Sequence, residues 1–203
     1  MAERQTSQIK KTVSIIGIGR VGLPLALVLA EENFLVYGID NNLEYLKLIK
    51  RGIMPFIEEG AESLLVKHLN KNFFPTQEIA NSISQSDYLI LTLGTPVDEN
   101  LNPVLNQIKD VLEEIMPYLK KGQVLILRST VSPTTTELIR DLIETKRGFK
   151  AGKDIFIAFC PERIAEGRSL KEIRSIPQII GGVDQISAQK AKEFFLIFTV
   201  FTS

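Results

Sequence analysis

The residues near the start of the chain that are best suited to chemistry form a glycine-rich run, Gly17-Ile18-Gly19-Arg20-Val21-Gly22. This G-x-G-x-x-G spacing is typical of a turn that binds the pyrophosphate of a dinucleotide, when it follows a strand and opens a helix. Gly17 allows the tight turn, Gly19 lets the backbone approach the phosphates, and Gly22 lets the helix pack closely on the strand. The N–H groups at the helix N-terminus then supply hydrogen bonds and positive potential to the phosphates.

An acidic residue, Asp40, lies 18 positions after Gly22, at the end of the next predicted strand. Its carboxylate can accept hydrogen bonds from the hydroxyls of an adenosine ribose, and it would repel a 2′-phosphate. The glycine run and Asp40 together predict NAD, rather than NADP, as the cofactor. A glycine-rich turn without a ligand is the alternative interpretation.

Two further loops with small, hydroxyl or proline residues come directly after predicted strands. They contain Gly94, Thr95 and Pro96 in one loop, and Ser129, Thr130 and Val131 in the other. Ordinary turn and helix-cap chemistry would explain such residues. Because the carboxyl ends of parallel strands meet at one edge of a sheet, however, we expect both loops to face the cofactor crevice.

A polar loop follows the predicted strand Ile155–Phe159. Its residues are Pro161, Glu162, Arg163, Ile164, Ala165, Glu166 and Gly167. The carboxylates of Glu162 and Glu166 could act as acid/base groups or bind a ligand. From the residues alone, a solvated loop with a weak surface pair between Glu162 and Arg163 is an equally good interpretation.

Short apolar strands alternate with helical segments along the chain, which predicts an α/β fold with a doubly wound, mostly parallel sheet of the Rossmann type. A polar N-terminal tail, residues 1–11, precedes one domain, residues 12–203. Strands are predicted at Thr12–Ile16, Leu35–Ile39, Tyr88–Leu93, Gln123–Leu127, Ile155–Phe159 and Gln178–Ile180. Helices are predicted at Val21–Glu32, Leu43–Arg51, Glu62–Asn70, Val104–Tyr118 and Ser187–Phe195, and another begins with Ser132 as N-cap and Pro133 at N1.

The composition narrows the possible classes of protein. The chain has 203 residues, 44% of them hydrophobic, and its 24 basic side chains balance 24 acidic ones. A neutral chain is poorly suited to nucleic acid, and no apolar run is long enough to span a membrane, so we expect a soluble cytoplasmic protein with neither partner. Cys160 and His68 are the single residues of their types, which excludes an internal disulfide and argues against a zinc site.

These motifs, in this order and each at a strand end, resemble the UDP-glucose/GDP-mannose dehydrogenase family, and the resemblance spans the chain after Lys10. Such enzymes use NAD to oxidise the C6 alcohol of a nucleotide sugar to a carboxylate in two hydride transfers. The resemblance implies that Glu166 joins the glycine run, Asp40 and the two loops in binding NAD. It further implies that Glu162 is the acid/base residue and that Thr130 helps to hold the water on which Glu162 acts.

The resemblance also implies that the segment Glu162–Glu166 binds a UDP-sugar. Arg163 followed by Ile164 is more similar to the UDP-N-acetylhexosamine branch, which acts on UDP-N-acetylmannosamine or UDP-N-acetylglucosamine, than to UDP-glucose enzymes, in which phenylalanine is common after Pro-Glu. UDP-glucose stays the alternative substrate. Three positions depart from the family pattern, and they are Tyr45 in place of an arginine, Val104 in place of an aspartate and Thr134 in place of a glycine.

The family's reaction requires a nucleophilic cysteine, a lysine and an asparagine, which we expect beyond Ser203. Cys160, which ends a buried strand, is interpreted as a packing residue. We therefore expect this chain alone to bind NAD without turnover, and the full-length enzyme to be a homo-oligomer. The apolar run Phe194–Phe201 is predicted to form the last helix and an edge strand, leaving a sticky surface. A single-step Rossmann dehydrogenase of the β-hydroxyacid type and a non-catalytic NAD-sensing module are the other candidates.

Overall fold

One seven-stranded sheet organises the chain in the computed structural model, which describes residues 11–94, 106–165 and 167–199. The strand order is β3-β2-β1-β4-β5-β6-β7, with β1–β6 parallel and β7 antiparallel to β6. The strands are β1 Thr12–Ile16, β2 Leu35–Ile39, β3 Phe73–Thr76, β4 Tyr88–Leu91, β5 Val124–Leu127, β6 Phe156–Phe159 and β7 Gly181–Gly182. This arrangement confirms the predicted doubly wound, mostly parallel α/β fold.

Helices cover both faces of the sheet and divide the core in two. They are α1 Gly22–Glu31, α2 Leu43–Lys50, α3 Ala61–His68, α4 Ala80–Gln85, α5 Asn106–Ile115, α6 Thr135–Arg147, α7 Ser169–Ser175 and α8 Gln185–Phe195, with a 3₁₀ turn at Met116–Tyr118. Helices α1, α2, α3, α7 and α8 pack on one face, and α4, α5 and α6 pack on the other. Alternate residues of each strand enter opposite cores, as Val124 and Leu125 do, because successive side chains point to opposite faces. No helix in the described ranges is long and apolar enough to cross a membrane.

The predicted elements recur with small shifts, but the strand β3 and the helices α4 and α7 were absent from the sequence prediction. β3 is only four residues long and contains Pro75, which argues against a central strand. Pro75 is nevertheless compatible with β3, because β3 is the edge strand beside β2. Likewise, the predicted sixth strand at Gln178–Ile180 is wrong, since the two-residue strand β7 begins just after it.

The predicted start of α6 is also wrong. The helix begins at Thr135, and its N-cap is Thr134 with a φ of 72°, rather than Ser132 with Pro133 at N1. The backbone carbonyl of Ser132 still accepts a local hydrogen bond, which the Thr135 hydroxyl donates at 2.8 Å. The conformation at Thr134 is left-handed, which a β-branched side chain rarely adopts.

The apolar run near the end of the chain packs into the core. Phe194 and Phe195 are completely buried and Phe198 is 5% exposed, and Phe194 stacks near Phe34 and Tyr88. Residues 196–198 form turns and residue 199 lies in a bend, so the predicted strand does not begin at Phe198. Residues 200–203 lie outside the described part. The predicted sticky surface is wrong for these three phenylalanines, since they cover the sheet instead of facing solvent.

A charged cluster joins the ends of α1 and α3. The Nε2 atom of His68 lies 2.6 Å from a carboxylate oxygen of Glu31, and its Nδ1 atom lies 2.8 Å from the Oδ1 of Asn72. The Asn72 amide nitrogen donates to the Ala30 carbonyl, which orients the Asn72 oxygen toward the ring. Both ring nitrogens of His68 thus lie within hydrogen-bond distance of an oxygen atom. Lys67 completes the cluster at 2.7 Å from Glu31.

This cluster predicts a pH-dependent stability. Hydrogen bonds from Lys67 and then from His68 hold the pKa of Glu31 below its ordinary value of 4.5. The stabilisation is therefore complete above that value and is lost as the pH falls through the folded-state pKa. We expect Glu31→Gln to lower the free energy of unfolding by about 1 kcal/mol at neutral pH, measured by urea unfolding. This deficit should vanish in acid. Glu44→Gln, at an exposed pair with Lys47, is the control and should change little; an acid-independent deficit at Glu31 would contradict the prediction.

The strained backbone at Thr134 predicts a stabilising substitution. Thr134→Gly removes the β-branched side chain from a φ of 72° and should raise the free energy of unfolding by about 1 kcal/mol. Asn70→Gly is the matched control, because asparagine tolerates its φ of 57° and the gain there should be smaller. Urea unfolding of both variants measures the difference, and an equal gain at the two positions would argue against relief of strain.

Candidate functional site

The strand order reverses between β1 and β4, and a cleft of about 530 Å³ opens at their carboxyl ends. In doubly wound sheets, ligands bind at this reversal. The glycine run, the end of β2, the loop after β4 and one face of α5 contribute to the cleft. Its lining includes Gly17, Gly19, Asp40, Asn41, Gln77, Thr92, Gly94, Gln107, Asp110, Val111 and Glu114.

The first and last glycines of the run are required by close packing. Gly17 has a φ of 93°, and a Cβ there would lie 2.8 Å from the Thr92 carbonyl oxygen. A Cβ on Gly22 would lie 2.0 Å from the carbonyl oxygen of Gly17, so helix α1 can approach the turn only without a side chain. The Thr92 hydroxyl donates to that same carbonyl at 2.5 Å, which joins the end of β4 to the turn.

The middle of the run is open. A Cβ on Gly19 would meet nothing within 4 Å, so the empty space above the backbone faces the cleft. Val21 occupies the N-cap of α1 and makes no side-chain cap hydrogen bond. Ile18 is completely buried, whereas Arg20 is exposed and lies 5.6 Å from the ring of Phe56. The turn therefore offers backbone N–H groups to an anion. The buried Ile18 side chain is not part of the cleft lining.

Asp40 is fixed at the rim of the cleft. Its Oδ2 atom accepts from the Ile18 N–H at 2.9 Å, and its Oδ1 atom accepts from the Asn42 N–H at 2.8 Å. Each oxygen keeps a lone pair for a further donor. Asp110 and Glu114 add two carboxylates to the lining, and no lysine or arginine is among the described lining residues. The cleft is thus acidic, which favours ribose hydroxyls and disfavours a 2′-phosphate.

The two loops that follow β4 and β5 lie side by side. The Ser129 hydroxyl donates to the Leu93 carbonyl at 2.6 Å, so this side chain joins the loops instead of pointing to a ligand. Thr130 and Gly94 are exposed, and Val131 is half-buried. The predicted contacts Thr95 and Pro96, like Glu166, lie outside the described residues.

Glu162 is held at the end of β6 rather than in a solvated loop. Its side chain is 10% exposed, and its Oε1 atom accepts from the N–H groups of Arg163 and Ile164 at 2.7 and 3.1 Å. Its Oε2 atom lies 2.5 Å from the Nη2 atom of Arg128. The interpretation of Glu162 and Arg163 as a weak surface ion pair is therefore wrong. Arg163 and Ala165 are exposed, and Ile164 packs against the core.

Arg128, directly before Ser129, is the site residue to which the sequence analysis assigned no role of its own. It is completely buried, and its Nη1 atom donates to the Cys160 carbonyl at 3.1 Å and to Gln178 at 2.6 Å. The guanidinium also lies 5.2 Å from the ring of Phe195. Burial lowers the pKa of Arg128, and the charge of Glu162 opposes that change. The only sequence signal was an arginine directly after a buried strand.

Cys160 packs beside this pair and has no reactive environment. Its side chain is completely buried, and burial raises the pKa of its thiol to about 12. The thiol is thus protonated at neutral pH, and it behaves as a small apolar group.

Two more carboxylates hold the loop that contains Glu162. Glu58, which is 8% exposed, accepts from the Gly167 N–H at 3.1 Å and the Ser169 hydroxyl at 2.9 Å. Glu172 accepts from the Ala165 N–H at 2.7 Å. Charged groups therefore hold the loop at three residues, which are Glu162, Ala165 and Gly167. No cluster of potential metal ligands occurs in the described ranges, so no metal is assigned.

Comparison with known proteins agrees with this geometry. The model for the NAD binding domain of the UDP-glucose/GDP-mannose dehydrogenase family matches residues 11–199. The chain belongs to this family. A UDP-N-acetyl-D-mannosamine dehydrogenase of Methanococcus vannielii is 32% identical over 98% of the chain and 44% of its own length. Thus the chain spans less than half of the curated relatives that it matches.

Solved structures of the family superimpose closely on the chain. The UDP-D-ManNAc dehydrogenase of Pyrococcus horikoshii has a TM-score of 0.88 at 28% identity, and covers 93% of this chain and 45% of its own. An NDP-N-acetyl-D-galactosaminuronic acid dehydrogenase of Methanosarcina mazei has a TM-score of 0.86 at 32% identity, with 94% and 42% covered. The family assignment confirms NAD as the cofactor.

The open space at Gly19 fits a pyrophosphate, and Asp40 fits the adenosine ribose. This geometry separates two similar substitutions. Gly19→Ala should leave the free energy of unfolding nearly unchanged but weaken NAD binding about tenfold or more, because the methyl group enters the phosphate cradle. Gly22→Ala should destabilise the fold by several kcal/mol, because its methyl group meets a backbone carbonyl. Calorimetric titration with NAD and urea unfolding measure the two effects. Equal losses of stability would contradict the division of roles.

Proposed function

We propose that the chain is the NAD-binding part of an enzyme that oxidises the C6 hydroxyl of a UDP-N-acetylhexosamine to a carboxylate. The observation that carries the proposal is the juxtaposition of an acidic dinucleotide cleft with a carboxylate, Glu162, that is anchored at the end of β6. Both lie at the carboxyl edge of one sheet, where a substrate between them would meet cofactor and base.

Each proposed role rests on a residue's chemistry and surroundings. Bound NAD supplies the acceptor for the hydride that leaves the substrate carbon. Glu162, held by two N–H groups and a guanidinium, is a carboxylate that can take a proton from the hydroxyl or from a water. The exposed hydroxyl of Thr130 orients that water, and the exposed side chain of Arg163 binds a phosphate or an amide carbonyl of the substrate.

The substrate class is supported by relatives as well as by residues. The relatives named above act on N-acetylated nucleotide sugars according to their names, and Arg163 with Ile164 agrees with that branch. UDP-glucose is the second candidate substrate. A single-step dehydrogenase of the β-hydroxyacid type and an NAD-sensing module are less well supported, because neither accounts for the anchored loop around Glu162.

The remaining parts of the proposal concern the whole protein. The cysteine that forms the acyl intermediate, with the assisting lysine and asparagine, belongs to a segment outside this chain, because the buried Cys160 is unsuited to attack. The chain alone therefore binds NAD without turnover. The full-length enzyme works in the cytoplasm as a homo-oligomer and binds neither nucleic acid nor membrane.

Product stoichiometry tests this function. The full-length enzyme should form two NADH per UDP-N-acetylmannosamine, whereas the 203-residue chain should form none, as followed by absorbance. Glu162→Gln should lower kcat by about 10²-fold or more and leave NAD affinity unchanged, because the base is lost and the cofactor cleft is not. Glu113→Gln, on the outer face of α5, is the control. One NADH per substrate would favour a single-step dehydrogenase. Turnover by the chain alone would refute the proposal that the nucleophilic cysteine belongs to a segment outside it.

A further inference from the structure

We propose that Arg128 is a positioning residue, whose buried guanidinium holds the Glu162 carboxylate in the orientation that proton transfer requires. This inference rests on the proposed function, in which Glu162 is the base. Arg128 itself does not touch substrate, because its side chain is completely buried behind the loop.

The first argument is that the two charges depend on each other. Nη2 of Arg128 and Oε2 of Glu162 are 2.5 Å apart, and both atoms are buried. Neither atom makes a hydrogen bond to any other described group, so each is the other's charge partner. Without the guanidinium, the buried Oε2 atom would have no charged partner among the described residues, and an unpaired buried charge is costly.

The second argument is that the guanidinium connects two loops of the site. Arg128 directly precedes Ser129 and Thr130, and its own carbonyl accepts from the Glu162 N–H at 2.9 Å. The Nη1 atom meanwhile donates to the Cys160 carbonyl and to Gln178. The backbone and the side chain of Arg128 together thereby connect the loop of the water-binding hydroxyl with the loop of the base.

The third argument concerns the choice of arginine. A flat guanidinium presents donors in several directions, and here one nitrogen meets Cys160 and Gln178 while another meets Glu162. A lysine would keep the charge but could not reproduce this fork. Burying a charge is costly, and a purely structural role would be filled more cheaply by an apolar side chain.

The first test reads the position of Glu162 without any activity. In the 203-residue chain, Arg128→Met should speed hydrogen exchange of the Arg163 and Ile164 amides about tenfold, since these amides donate to Glu162. The amide of Ile126, in the middle of β5, should be unchanged. Arg140→Met, at an exposed pair on α6, is the matched control and should alter none of them. Unchanged exchange at Arg163 and Ile164 would overturn the proposal.

The second test is a double-mutant cycle in the full-length enzyme. Arg128→Met should lower kcat about 10²-fold with NAD affinity unchanged, but less than about twofold when Glu162→Gln is already present. Equal losses in the two backgrounds would overturn the proposal, because Arg128 would then act independently of Glu162. Arg128→Lys should recover part of kcat, and it replaces the Met variant in both tests if that variant does not fold. If the wild-type enzyme oxidised no UDP-sugar, the proposed function would fail, while the exchange test would still report on Arg128.

Discussion

The carbonyl group of Gly17 is the point on which the cleft depends. It receives the Thr92 hydroxyl from the end of β4, and it faces the bare α-carbon of Gly22 at the start of α1. The end of β4, which is distant in the chain, therefore meets the start of α1 at one peptide group. Because the strand order also reverses between β1 and β4, this convergence leaves the helix N-terminus pointing into an open crevice instead of into the core.

The source of positive charge differs between the two halves of the site. In the cofactor half, the carboxylates of Asp40, Asp110 and Glu114 line a cleft whose positive potential comes from backbone N–H groups. In the other half, a buried arginine balances the carboxylate of Glu162. The first half suits a ligand with ribose hydroxyls and a bridging pyrophosphate, and the second fixes the position of one carboxylate.

The apolar end of the chain contributes to this second half. Phe195, completely buried in α8, lies 5.2 Å from the Arg128 guanidinium, and Phe194 packs on Phe34 and Tyr88. The three described phenylalanines of the run that was predicted to leave a sticky surface thus pack in the core, and Phe195 lies beside Arg128. A cation beside an aromatic face offsets part of the free-energy cost of burying the charge.

Local patterns determined much of this protein. The spacing of Gly17, Gly19 and Gly22, the acid at Asp40 and the alternation of apolar strands with helices predicted the Rossmann-type sheet and its cofactor, because each is a property of a few neighbouring residues. Only the tertiary structure decided the pairing of Arg128 with Glu162. Those residues follow different strands, and nothing local distinguishes a buried arginine from a surface one. The edge strand with Pro75 and the start of α6 at Thr134 depended likewise on neighbours distant in sequence or on a backbone conformation that residue types alone disfavour.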